Sequence, residues 1–101
     1  MIKVLIKKEE NSFKSIEVKG HANSAPYGED LVCAAVSAIV TGCANNIDEL
    51  DSIRIKLNEG HAQFECLKDI TLHDEIVLET MVTALQTVAE SNDKFIKIQI
   101  L

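Results

Sequence analysis

The sequence predicts a single α+β domain in which about five strands, in the order β-β-α-β-β-α-β, form a mixed or antiparallel sheet carrying two helices. Three observations lead there. Apolar residues alternate with polar ones in five short runs, two longer runs repeat at helical spacing, and 101 residues leave room for one domain covering 1–101. The chain is 47% hydrophobic and 26% charged with 4 Gly and 1 Pro, which excludes a disordered or low-complexity polymer.

Ile2, Val4 and Ile6 alternate with Lys3 and Lys7, the period of a half-buried strand. Glu9 to Ser12 supplies a turn, and Phe13 to Lys19 answers with Ile16 and Val18 on one face, completing a hairpin. Gly20 to Gly28 has no periodicity and contains the single Pro, so it reads as a loop, and an irregular stretch of that length in a short domain points to function. Asp30, or Glu29 before it, is placed to cap a helix. Leu31 to about Asn45 is too long for a strand and apolar nearly all round, which predicts that this helix is buried. Its small residues Ala34, Ala35, Ala38, Gly42 and Ala44 would let the sheet or a second subunit approach closely.

Ile53, Ile55 and Leu57 alternate with Arg54 and Lys56, Asn58-Glu59-Gly60 turns the chain, and Ala62, Phe64 and Cys66 return as a second hairpin. From about His73 to Ser91, Val77, Leu78, Met81, Val82, Leu85, Val88 and Ala89 share one helical face, with Asp74, Glu75 and Glu79 near the positive end of the dipole. Phe95 to Leu101 is the last strand, with Ile96, Ile98 and Ile100 on one side.

The net charge of −6 argues against direct nucleic-acid binding, since no cations cluster along the sequence beyond Lys7-Lys8. Residues 29–93 carry 13 acids and 3 bases, an acidic middle that would steer a basic partner. No apolar run reaches bilayer length and no signal-peptide pattern is present, so no membrane role is expected and the cytoplasm is the expected location. Three Cys with no C-x-x-C pair fit thiols in a reducing compartment, and no metal-ligand spacing or phosphate loop calls for a metal or cofactor.

Cys33 is the principal chemical candidate. If the helix begins near Asp30, Cys33 lies in its first turn, where open backbone amides and the dipole stabilise a thiolate and can receive an oxyanion. His21 lies upstream at a strand exit and could reach it, giving a thiol nucleophile with its general base. The alternative is a Cys serving as a small buried hydrophobe. Asp30 also has two readings, as N-cap or as the group orienting His21. Ser37, one turn after Cys33 on the same face, either touches the site or bonds the backbone. Cys43 and Cys66 read as core residues, and His73 as a capping or surface residue. A second Gly-His-Ala at 60–62, echoing that at 20–22, reads as coincidence because His61 falls on the polar face of a hairpin strand.

Gly20-His21-Ala22 with Tyr27-Gly28-Glu29-Asp30-Leu31-Val32-Cys33-Ala34-Ala35-Val36-Ser37-Ala38 resembles the signature of the ribosomal-processing cysteine protease Prp family. The likeness extends in length and element order over most of the chain. It implies an endopeptidase that removes a short N-terminal extension from the large-subunit ribosomal protein numbered twenty-seven. It further implies His21 and Cys33 as the catalytic pair, Asp30 and Ser37 in support, a homodimer, and a mobile substrate loop formed by Asn23, Ser24, Ala25, Pro26, Tyr27 and Gly28. A non-catalytic ribosome-assembly module and a thiol enzyme of other chemistry are the competing classes.

Overall fold

The computed structural model describes residues 1–20 and 27–101, and side chains for residues 1–20 and 31–101. Strands β1 (Ile2–Glu9) and β2 (Ser12–Lys19) precede helix α1 (Tyr27–Asn45), strands β3 (Ile53–Asn58) and β4 (His61–Cys66), helix α2 (Leu72–Ser91) and strand β5 (Ile96–Ile100). This is the expected order. The sheet runs β3-β4-β2-β1-β5, with β5 parallel to β1 and the other neighbours antiparallel. The first hairpin closes through Glu10 and Asn11, whose φ angles of 53° and 66° give the twist that two-residue hairpin turns require.

Cross-strand registers set the layers. Ile16 faces both Ile6 and Phe64, and Val18 faces both Val4 and Ala62, so one pleat parity collects the apolar residues. On that face α2 contributes Leu78, Met81 and Leu85, none more than 1% exposed. Full burial of each is worth about 1.5–3 kcal/mol. α1 lies beside α2 and buries Val32, Val36, Val40 and Ala44, a stripe spaced by four. The expectation that α1 is buried all round is corrected: Leu31 is 57% exposed, and Ala34, Ala38 and Gly42 also face outward. The sheet needs only one stripe of this helix, so Ala34, Ala38 and Gly42 remain at the surface while Ala44 joins the core.

Helix α2 starts one residue before the expected position. Its N-cap is Thr71, whose hydroxyl accepts the Asp74 amide at 3.1 Å. Asp74, expected as an ordinary first-turn acid, is fully buried, and its two carboxylate oxygens accept the Asp48 and Glu49 amides at 2.9 and 3.1 Å. His73 is not the cap. Its Nε2–H donates to the Asn46 carbonyl at 2.9 Å, with the Asp48 carboxylate 3.7 Å away. Asp48, His73 and Asp74 therefore bring three ligand-type atoms within 4.8 Å, but both Asp74 oxygens are engaged by the backbone, and the group acts as a clasp between the α1–β3 loop and α2.

Removing the clasp carboxylate strands two loop amides. Asp74→Ala is therefore expected to lower unfolding free energy by about 2–4 kcal/mol in urea titration, and Asp74→Asn by about half as much. Equal stability of the three proteins would show that the loop needs no clasp. The Asn46 carbonyl and, behind it, the Asp48 and Asp74 carboxylates hold the exposed His73 imidazole above its ordinary value of 6.5. A raised folded value means that protonation favours the native state. That contribution is complete below the unfolded pKa and is lost as pH rises through the folded one. NMR titration of His73 should give a midpoint above 6.5, and a small decline in wild-type Tm as pH rises through that midpoint should be absent in His73→Gln.

Candidate active site

A cleft of about 360 Å³ opens between α1 and the tip of the β3–β4 hairpin. Cys33, Val36, Ser37, Val40 and Thr41 form the helical wall, and Leu57 to His61 forms the opposite one. Ile2, Val18 and Ala62 make the floor, with Gly20 at the rim. The cleft exists because side-chain volume falls at this end of the sheet. Phe64 fills the neighbouring register position beneath the helices, but here β4 carries Ala62, and Gly20 and Gly60 add no side chain at all. Leu57 is left 46% exposed over the opening.

The backbone at the rim is tightly specified. Gly20 has φ of +100° and donates its N–H to the Gly60 carbonyl at 3.0 Å, and Gly60 has φ of +73°. The glycines that open the two Gly-His-Ala triplets thus meet where β2 ends and β4 begins, which the sequence pattern alone did not convey. A Cβ at Gly20 would stand 2.3 Å from the Met1 carbonyl oxygen, so neither the conformation nor the space admits a side chain.

Cys33 is half-buried, packs against the core and presents its side chain at the cleft wall. It is the seventh residue of α1, because the helix begins at Tyr27, not near Asp30. Two expectations change accordingly. Asp30 has helical backbone and is not the N-cap. The open amides of the helix start belong to residues 27–30, one turn before Cys33, whose own N–H lies within the helical ladder. The substrate loop also shortens, since Tyr27 and Gly28 belong to α1. Its remaining residues Asn23, Ser24, Ala25 and Pro26, together with His21, lie outside the described residues, as does the side chain of Asp30.

Ser37 shares the cleft wall with Cys33, as its spacing of four requires. The other thiols are set apart. Cys66 is 5% exposed beneath the helices, and burial, with Glu75 nearby, pushes its pKa up to about 11. Cys43 is half-buried against α2 near His73 and Val77, and desolvation raises its pKa also. It lies ten residues beyond Cys33 on one helix, about 15 Å along the axis, too far to resolve an oxidised Cys33. His61 contacts Glu17 at 2.7 Å, on the open face of the sheet. The hairpin tip from Leu57 to Gly60 is the part of the site that sequence reasoning missed. Its only sequence signal is a turn, and in the sequence the repeated Gly-His-Ala reads as coincidence.

This architecture is shared with solved peptidase structures. The structure of an essential ribosomal-processing protease Prp from S. aureus with a covalently linked product peptide superposes with a TM-score of 0.84 at 31% identity, covering 100% of both chains. The same protease with a substrate peptide gives 0.82 at 28% identity, again over 100% of both chains. These likenesses define a cysteine peptidase. The family described as cysteine protease Prp matches residues 1–97, and the chain belongs to it. Ribosomal processing cysteine protease Prp of Staphylococcus aureus (strain NCTC 8325 / PS 47) is 31% identical over 94 residues, 89% of each chain. That of Bacillus subtilis (strain 168) is 31% identical over 97 residues, 87% of each.

Gly20→Ala is expected to cost at least about 2 kcal/mol, from the left-handed φ and the collision with Met1 together. Urea titration checks this, and a variant as stable as the wild type would show that the rim relaxes freely.

Proposed function

We propose that this peptidase removes the short N-terminal extension of the large-subunit ribosomal protein numbered twenty-seven, with Cys33 as nucleophile and His21 as its proton acceptor and donor. The observation that carries the reading is the position of Cys33 in the wall of an open cleft with an apolar floor, in a family whose solved relative holds a covalently linked product peptide. The Cys33 sulfur attacks the scissile carbonyl carbon, and His21 passes its proton to the leaving amine. Water then attacks the resulting thioester, giving up a proton to His21 and releasing the acid product. Asp30 and Ser37 act in support, and the floor of Ile2, Val18 and Ala62 accepts an apolar side chain next to the cleaved bond.

The chain works in the cytoplasm and as a homodimer in this proposal. No described helix is long and apolar enough to cross a membrane. Leu31, Leu72 and Ile76, at 57%, 76% and 51% exposure, leave apolar surface on the helical layer for a second copy to cover. The excess of acids between residues 29 and 93 favours approach of a basic ribosomal protein.

The test is to mix the purified chain with the extended precursor and follow its mass. A single N-terminal cut is expected, reduced more than about 10³-fold in both Cys33→Ala and His21→Ala and retained in Cys43→Ala. No cut by folded wild-type protein would overturn the assignment of substrate. Full activity of Cys33→Ala would overturn the nucleophile.

A further inference from the structure

The face of the sheet turned away from the helices is basic, although the chain as a whole is acidic. Pleat alternation places Lys3, Lys7, Lys19, Arg54, Lys56 and Lys97 on this face, six cations against the two carboxylates Glu17 and Glu65. Lys3 is in direct register with Lys97 on β5 and with Lys19 on β2, and Lys19 in turn with His61 on β4. Three lysines therefore stand in one row across three adjacent strands, about 5 Å apart from strand to strand. The sequence hides the row because its members come from positions 3, 19 and 97, and pairing register alone brings them together. The expectation that cations do not cluster beyond Lys7-Lys8 is corrected on this point.

Like charges in direct cross-strand register destabilise a sheet. Lys19 is relieved by Glu17, 3.8 Å away, whereas Lys3 and Lys97 make no ion pair among the described residues. Such a row is stabilised by an anion from outside. The row also occupies the end of the sheet whose other side floors the cleft, since Ile2 and Val18, next to Lys3 and Lys19, line it.

We infer that this row docks the phosphate backbone of a single-stranded nucleic acid, without reading its sequence. The face carries no Phe, Tyr or Trp among the described strand residues, and Leu5 is the one large apolar side chain at its strand positions. A protein partner needs an apolar centre to its interface, whereas phosphate backbones are held by charge alone. A second copy joined to this face about a twofold axis would set lysines against lysines. Bound there, a nucleic acid lies behind the cleft on the reverse of the sheet, and the peptidase meets its protein substrate from the opposite side.

Fluorescence anisotropy with a labelled oligouridylate of about 20 nucleotides tests this, with no dependence on proteolysis. Wild type is expected to bind at about 50 mM salt with Kd of about 10⁻⁴–10⁻⁶ M, and log K should fall with log salt at a slope of about −2 for three contacts. The triple variant Lys3→Gln/Lys19→Gln/Lys97→Gln should bind at least tenfold more weakly and lose most of the slope, with Tm unchanged or raised. Lys8→Gln/Lys14→Gln/Lys68→Gln, of equal net charge but away from the row, should bind within twofold of wild type. Oligothymidylate of equal length should match the RNA within a few fold, since phosphate is the shared group. Four results would overturn the proposal. These are no wild-type binding, equal loss in both variants, tighter binding of a polyglutamate of equal charge, or self-association that the row variant abolishes.

Discussion

The register of β1 is the constraint on which the molecule depends. This strand pairs antiparallel with β2 on one side and parallel with β5 on the other, so both halves of the sheet take their alignment from it. A slip of one residue would turn Ile2, Val4 and Ile6 outward and drive Lys3 and Lys7 under the helices. The apolar cost of that exchange, several side chains at about 1.5–3 kcal/mol each, exceeds any gain from separating the lysines of the open face. Core packing therefore dictates the charge arrangement behind it.

The same alignment produces the cleft. Ile2 and Val18 reach the floor because they end the apolar rows of β1 and β2, and Gly20 then turns away against Gly60. α1 crosses above this end with Cys33 on its second turn, and its far end is tied down by the Asp74 clasp on the loop leading to β3. The cleft wall that holds Cys33 and the loop clasp thus sit toward opposite ends of one helix. Each is fixed by contacts to a different part of the fold.

Much of this was legible in the sequence. Period-two runs at Ile2–Ile6 and Ala62–Cys66 and the α2 face at Val77–Leu85 are strong signals, because burial on one side leaves no other pattern. The Cys33–Ser37 spacing carried over directly to a shared cleft wall. What was not legible depends on contacts distant in sequence. The start of α1 at Tyr27 was missed because Tyr27 and Gly28 have no helical apolar spacing. Asp74 looked like any first-turn acid because its partners are backbone amides 25 and 26 residues away. The hairpin tip opposite Cys33 carries no chemical signature of its own, and the lysine row exists only after the strands have paired.

The parallel partnership of β1 and β5 has a kinetic meaning. β1 spans residues 2–9 and its outer partner spans residues 96–100, with the Ile2 amide bonded to the Phe95 carbonyl at 2.8 Å. The pairing thus joins segments almost a full chain length apart, and closing so long a loop is an entropically slow step. The first hairpin, by contrast, can form from neighbours as soon as residue 19 is made. During synthesis on the ribosome, β1 must wait with one edge unpaired until β5 has emerged. Ile2, a floor residue of the cleft, is anchored only then, so the cleft is completed late in folding, after every other element has been made.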